Sequence, residues 1–137
     1  MIFAYTNTDI DLVDNEAVPF NFNGVDTCHC DTAHTAGSPV ISIKRPGFYK
    51  VDFNADLSGV ADTVTFSLVR NGVVVPGAEA SVTTSTAATI LNVSFSSIIR
   101  VAPNCCVNNM NLPASLQIVM TGGDATISNA AITVSRV

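Results

Sequence analysis

Between Pro46 and Leu57 the chain reads PGFYKVDFNADL, a Pro-Gly turn followed by Tyr49, Val51, Phe53, Ala55 and Leu57 alternating with Lys50, Asp52, Asn54 and Asp56. A period of two places the first set on one face of a strand and the second on the other. One apolar and one polar face suit a sheet packed on a single side, so this stretch predicts the central strand of an antiparallel β-sandwich.

Similar patterns recur along the chain. Residues 2–12 (IFAYTNTDIDL) read as a first strand, and Val18, Phe20 and Phe22 as a second, which Pro19 marks as an edge or irregular one. From Asn23 to Pro39 the alternation stops, and this segment reads as a long excursion. Ile41 and Ile43 resume it ahead of the central strand. Val64, Phe66 and Leu68 then alternate up to Asn71-Gly72, a pair that favours the positive φ angles of a two-residue hairpin. Val73 to Val75 return, Pro76-Gly77 ends that strand, and Ser81 to Thr89 is a polar connection or weak strand. Leu91 to Val101 alternates over a long strand, and Pro103 to Pro113 forms a second loop. Leu116, Ile118 and Met120 make the next strand, and Gly122-Gly123-Asp124 the turn after it. In the last strand the apolar phase slips between Ile127 and Ile132, which predicts a bulge near Asn129-Ala130. No helical period is sustained and no repeat is visible. About eight to ten strands with closely spaced turns mean a sandwich or jelly roll.

At 137 residues the chain fits one domain, residues 1–137, large enough for a core that needs no metal or bridge. Hydrophobic residues make up 47% and charged residues 12%, with mean hydropathy +0.40, so apolar surface is expected to be hidden in an oligomer. A net charge of -5 and six Lys and Arg scattered through the sequence argue against nucleic acid and against acidic membranes. The start, MIFAYTNTDID, lacks the basic and apolar regions of a signal peptide, and no run approaches a membrane span, so synthesis in a cytoplasm is expected.

Candidate chemistry is sparse. Cys28 and Cys30, with His34 and the pair Cys105-Cys106, are soft ligands for zinc or iron, but Cys-x-Cys and adjacent cysteines are harder to turn onto one ion than Cys-x-x-Cys. A disulfide between the two loops, within or between subunits, and free thiols are the readings placed ahead of metal; adjacent Cys105 and Cys106 are not expected to bridge each other. Asp9, Asp11, Asp14 and Glu16 offer oxygen ligands for calcium, yet a solvated strand and turn is the simpler account, because the glycine and spacing of an EF-hand are missing. Phe3, Tyr5, Phe48 and Tyr49 are read as core or subunit packing ahead of a sugar-binding face, all but Phe48 falling on the apolar phase of their strands. Arg45, Arg70 and Arg100 are read as caps of strand ends or rim ion pairs. No catalytic constellation and no cofactor site is found, since the Cys/His pair lacks a third orienting group.

The order of these pieces resembles the C1q and tumour-necrosis-factor-like jelly rolls. ISIKRPGFYKVDFNADL is similar to that group's PGxYxF strand and SLVRNGVVV to its NG hairpin. The long LNVSFSSIIRV and a hydrophobic C-terminal strand complete a similarity over residues 38–137. The resemblance implies an all-β jelly roll that packs as a homotrimer, for which Phe3, Tyr5, Ile132 and Val134 are the expected interface residues. AYTNT, the Cys-x-Cys loop and NCC further resemble small jelly-roll proteins of phages and prophages. That similarity implies a structural, non-enzymatic virion component, a capsid decoration or head-fibre protein, made in the bacterial host cytoplasm and bound to the major capsid protein or another virion protein. Two other classes stay open: a carbohydrate-binding module for a host-surface glycan, and a bacterial surface or spore-coat trimer.

Overall fold

A computed structural model describes residues 1–27, 31–59, 62–83, 90–102 and 114–137. Among them run β1 (Ile2–Thr6), β2 (Ile10–Leu12), β3 (Glu16–Ala17), β4 (Phe22–Asp26), β5 (Thr32–His34) and β6 (Ile41–Ile43). The chain continues with β7 (Gly47–Ser58), β8 (Thr63–Arg70), β9 (Val73–Thr83), β10 (Leu91–Val101), β11 (Ala114–Thr121) and β12 (Ala125–Arg136). One sheet has the order β10-β7-β12-β1-β4, with β2 beside the other end of β12; the second has the order β5-β6-β11-β8-β9, with β3 on β11. Every pairing is antiparallel.

The central strand of the sequence is β7, held between β10 and β12, and its inward residues Tyr49, Val51, Phe53, Ala55 and Leu57 are all buried. Phe53 lies against the rings of Phe20, Phe66 and Phe95 at centroid distances of 6.4, 5.7 and 5.4 Å. Phe66, Leu68 and Val93 are buried as the alternation requires, but Phe95 is only half-buried, on the edge strand of its sheet. The hairpin at Asn71-Gly72 has positive φ at both residues, 50° and 84°. At Gly122 φ is 102° and a Cβ would run into the carbonyl oxygen of Thr63, so only glycine fits that turn.

Four expectations need correction, and a fifth, the bulge in the last strand near Asn129-Ala130, is met. The stretch 2–12 is two strands, β1 on Ala130–Val134 and β2 on Ala125–Ile127 of β12. β12 carries its bulge between Ile127 and Asn129, at Ser128, whose hydroxyl donates to the Asp56 carbonyl. Val18 and Phe20 lie outside the strands yet are fully buried, while Phe22 opens β4 and points outward. The excursion from Asn23 to Pro39 contains most of β4 and all of β5. Finally, β9 does not stop at Pro76-Gly77 but passes through it to Thr83, absorbing the proline in a bulge on an edge strand, one of the few places in a sheet that tolerate it.

Candidate assembly face

Ile2, Ala4 and Thr6 point into the core, so Phe3 and Tyr5 stand on the outer face of the first sheet. The sequence left both rings between core and subunit packing; the register takes them out of the core. Phe3 lies beside Val25 and Tyr5 beside Phe22 across the pairing with β4. The rings form a ladder, Phe3 to Tyr5 at 5.8 Å and 25°, Tyr5 to Phe22 at 5.4 Å and 27°. Gly24 makes the ladder possible. It sits in the bulge of β4 opposite Phe3 and Ala4, and a Cβ there would come within 2.6 Å of the Phe3 ring. The outcome is an apolar platform at one side of the sheet, with Phe22 45% and Val25 39% exposed. The middle of that outer face is polar, with Lys50, Asp52 and Asn54 on β7 and Ser94 and Ser96 on β10, and it turns apolar again at Phe48 and Ile98.

The other two expected interface residues are not on it. Ile132 and Val134 are 1% and 0% exposed, because after the bulge at Ser128 the even-numbered residues of β12 face the core. Thr133 and Ala131 flank Phe3 and Tyr5 instead. Phe22, Gly24 and Val25 were missed by sequence reasoning, although a glycine between two apolar residues is a usual mark of a bulge.

His34 is buried with both ring nitrogens engaged, Nδ1 with the Asn23 side-chain oxygen and Nε2 with the Ser38 carbonyl at 2.7 Å, which leaves it no nitrogen for a metal. The Asn23 amide in turn donates to the His34 carbonyl at 2.9 Å, so the cluster clasps β4 to β5. Cys28, Cys30, Cys105 and Cys106 lie outside the described residues. The stems of their two segments are close: Thr32 pairs with Ile43 and Ile43 with Ala114, about two strand spacings, or ~10 Å, apart. Among the described residues no group of three His, Cys, Asp or Glu is placed to hold a metal. The acidic run braces turns: Asp14 accepts from the Gly122 amide, Asp11 from the Thr126 hydroxyl and Glu16 from the Val13 amide.

Arg70 donates to the Arg100 carbonyl at 2.6 Å, and Arg45 and Arg136 both approach Asp31, at 3.5 and 3.9 Å. Beneath them the Tyr49 hydroxyl donates to the Arg45 carbonyl at 2.8 Å. Burial, and next the Asp31 carboxylate, push the Tyr49 phenol above its ordinary value. Cavities of about 300 Å³ at Arg70–Pro76 and about 430 Å³ beside His34 and Ser42 are lined by neither Phe3, Tyr5 nor Phe22.

Solved structures share this arrangement over nearly the whole chain. The globular domain of zebrafish complement 1qA superposes with a TM-score of 0.71 at 14% identity, covering 99% of this chain and 97% of that one. Eiger TNF from S. frugiperda gives 0.67 at 12% identity, covering 96% and 90%, and murine APRIL at pH 5.0 gives 0.67 at 8%, covering 96% of each. The fold is a C1q/TNF-like jelly roll. No family model and no curated protein matches the sequence. Identities of this size speak for the C1q/TNF-like fold alone. Within it the aromatic ladder lies on β1 and β4, at the end of the sheet farthest from β10.

Proposed function

We propose that this chain is a structural, non-enzymatic protein that assembles as a homotrimer and serves on a phage virion, as a capsid decoration or head-fibre component seated on the major capsid protein or another virion protein. The observation that carries assembly is the Phe3–Tyr5–Phe22 ladder, three stacked rings on the outer face of a sheet whose inner face already fills the core. Exposed apolar clusters of this kind mark contact surfaces. A cyclic contact covers three copies at once, in keeping with the threefold packing that the C1q/TNF-like resemblance implies. The virion reading is supported by the resemblance of AYTNT, Cys-x-Cys and NCC to small phage jelly-roll proteins. Light scattering on the purified chain at micromolar concentration tests assembly: a mass of three subunits is expected, and a single-subunit mass overturns the trimer.

One observation favours a second reading, a module for host-surface glycan. The three rings are nearly parallel, as a platform for the faces of sugar rings would be. Screening on a glycan array separates the two, because a trimer that buries the ladder leaves Tyr5 no access to sugar, whereas a glycan module loses binding on Tyr5→Ala and stays one subunit.

A further inference from the structure

The chain's six Lys and Arg, three of them at 44–50 and the others at 70, 100 and 136, come together in space. Lys44 and Arg45 precede β7 and Lys50 lies near its start, while Arg70, Arg100 and Arg136 stand at the ends of β8, β10 and β12. Antiparallel pairing brings these to one end of the sandwich: Arg100 is opposite Phe48, Arg136 opposite Tyr49, and Arg70 reaches the Arg100 carbonyl from the second sheet. The other end is acidic, with Asp9, Asp11, Asp14, Glu16, Asp62 and Asp124 around the β2 and β11–β12 turns. Only Asp26, Asp31 and Asp52 accompany the cations, Asp31 bridging Arg45 and Arg136 and Asp52 facing Lys50. Positive charge is therefore in excess at an end of a protein that is acidic as a whole. The same end exposes Phe48 (54%), Ile98 (63%), Val73 (70%) and Val74 (46%), with Phe48 directly opposite Arg100 and Ile98 opposite Lys50.

We infer that this basic, apolar end is a docking surface for an acidic polypeptide, a carboxylate-bearing protein surface with apolar side chains between its charges. Four of the six cations are arginines, whose planar fork matches a carboxylate, and Arg beside an exposed aromatic ring, as Arg100 stands beside Phe48, is a composition of interface anchors. Nucleic acid fits less well: tight phosphate binding draws on roughly six to ten cationic contacts, and here half the cations already face carboxylates. Anionic lipid is held by clusters of roughly four to eight Lys and Arg, and with Arg45, Lys50 and Arg136 facing carboxylates this end has less positive charge to offer than that. The polarity also sets orientation, basic end toward the partner and acidic end away, and long-range attraction would align the approach. The inference stands apart from the virion reading, since it concerns the chemistry of the partner and not where it resides.

A fluorescein-labelled peptide of alternating Glu and Leu is the probe, titrated with the full chain by fluorescence anisotropy. Binding is expected at low salt, about tenfold weaker or more as ionic strength shortens the Debye length from ~30 to ~10 Å. Arg100→Glu and Ile98→Ser, both at exposed positions, should each weaken it several-fold with melting temperature unchanged, Arg100→Gln should fall between wild type and Arg100→Glu, and Asp9→Asn at the far end should leave it unaltered. A peptide of alternating Glu and Ser should bind less well. No binding at low salt, or loss in Asp9→Asn equal to that in Arg100→Glu, overturns the inference. So does tighter binding to a DNA duplex or to phosphatidylserine vesicles than to the peptide. Growth of head-to-tail assemblies at low salt would give the surface to a second copy and likewise overturn it.

Discussion

Strands β7 and β1 are both built on alternation, but only one of them divides its residues by polarity. In β7 the inward set is Tyr49, Val51, Phe53, Ala55 and Leu57 and the outward set, from Lys50 on, is polar. In β1 the inward set is Ile2, Ala4 and Thr6, and the outward set is Phe3 and Tyr5. The sandwich needs the inner face of each. What it does not need is a second apolar face on β1, extended by Phe22 and Val25 on β4, and this excess is the surface that the proposed assembly would cover. A strand apolar on one side reports the core of its own chain; a strand apolar on both, under the proposed assembly, would report a neighbour as well.

Substitutions inside β7 should therefore act on the subunit and those outside β1 on the assembly. The largest effect is expected at Phe53, ringed by three other phenylalanines: Phe53→Ala should lose about 3–5 kcal/mol in denaturant unfolding. An unchanged midpoint would remove β7 from the centre of the fold. Next is Tyr49→Phe, which deletes the hydroxyl's bond to the Arg45 carbonyl and should cost about 1 kcal/mol near neutral pH. Its pH dependence has a definite sign. The folded phenol titrates above its unfolded value of about 10, so the native state holds the proton longer. Its stabilisation is complete below that unfolded value and is lost as pH rises through the folded one. Wild type should lose stability in that alkaline window, and Tyr49→Phe should lose less over the same window.

Smaller still is the effect of Phe3→Ser with Tyr5→Ser on the isolated subunit, since cross-strand aromatic pairs contribute about 0.2–1 kcal/mol each. The melting temperature of wild type should rise with protein concentration, as linkage to assembly requires, and that of the double variant should not. Smallest on subunit stability is Gly24→Ala, whose methyl would lift the Phe3 ring off β4. It should weaken assembly in sedimentation while leaving the far-ultraviolet spectrum intact, and undiminished assembly would detach the ladder from the contact.

How much of this was legible follows from the same contrast. The strands that face one core, β7, β8, β10 and β11, declare themselves by alternation along most of their length. Edge strands do not: β4 is exposed along most of its length, so Phe22, Asn23, Gly24 and Val25 carry no inward phase to read, and β9 was cut short at a proline that its bulge accommodates. The phase slip in the last strand was legible, but its meaning for Ile132 and Val134 was not, because a bulge moves every later residue to the other face and only register against β7 shows which. His34 looked like a ligand because a sequence cannot show that Asn23 and Ser38 occupy both its nitrogens. The six cations looked scattered because their clustering exists only once strand starts and strand ends are brought to one side.

The central claim is that a second copy covers the outer face of β1 and β4, and tyrosine nitration reads that face directly. The chain has two tyrosines, Tyr49 buried in the core and Tyr5 on the ladder. With tetranitromethane on native protein followed by peptide mass mapping, Tyr5 should be protected at concentrations where the trimer holds and should become reactive in Phe22→Glu, while Tyr49 stays protected in both. Rapid nitration of Tyr5 in the native wild-type protein, at the rate seen in Phe22→Glu, would show that the ladder faces solvent and would contradict the account.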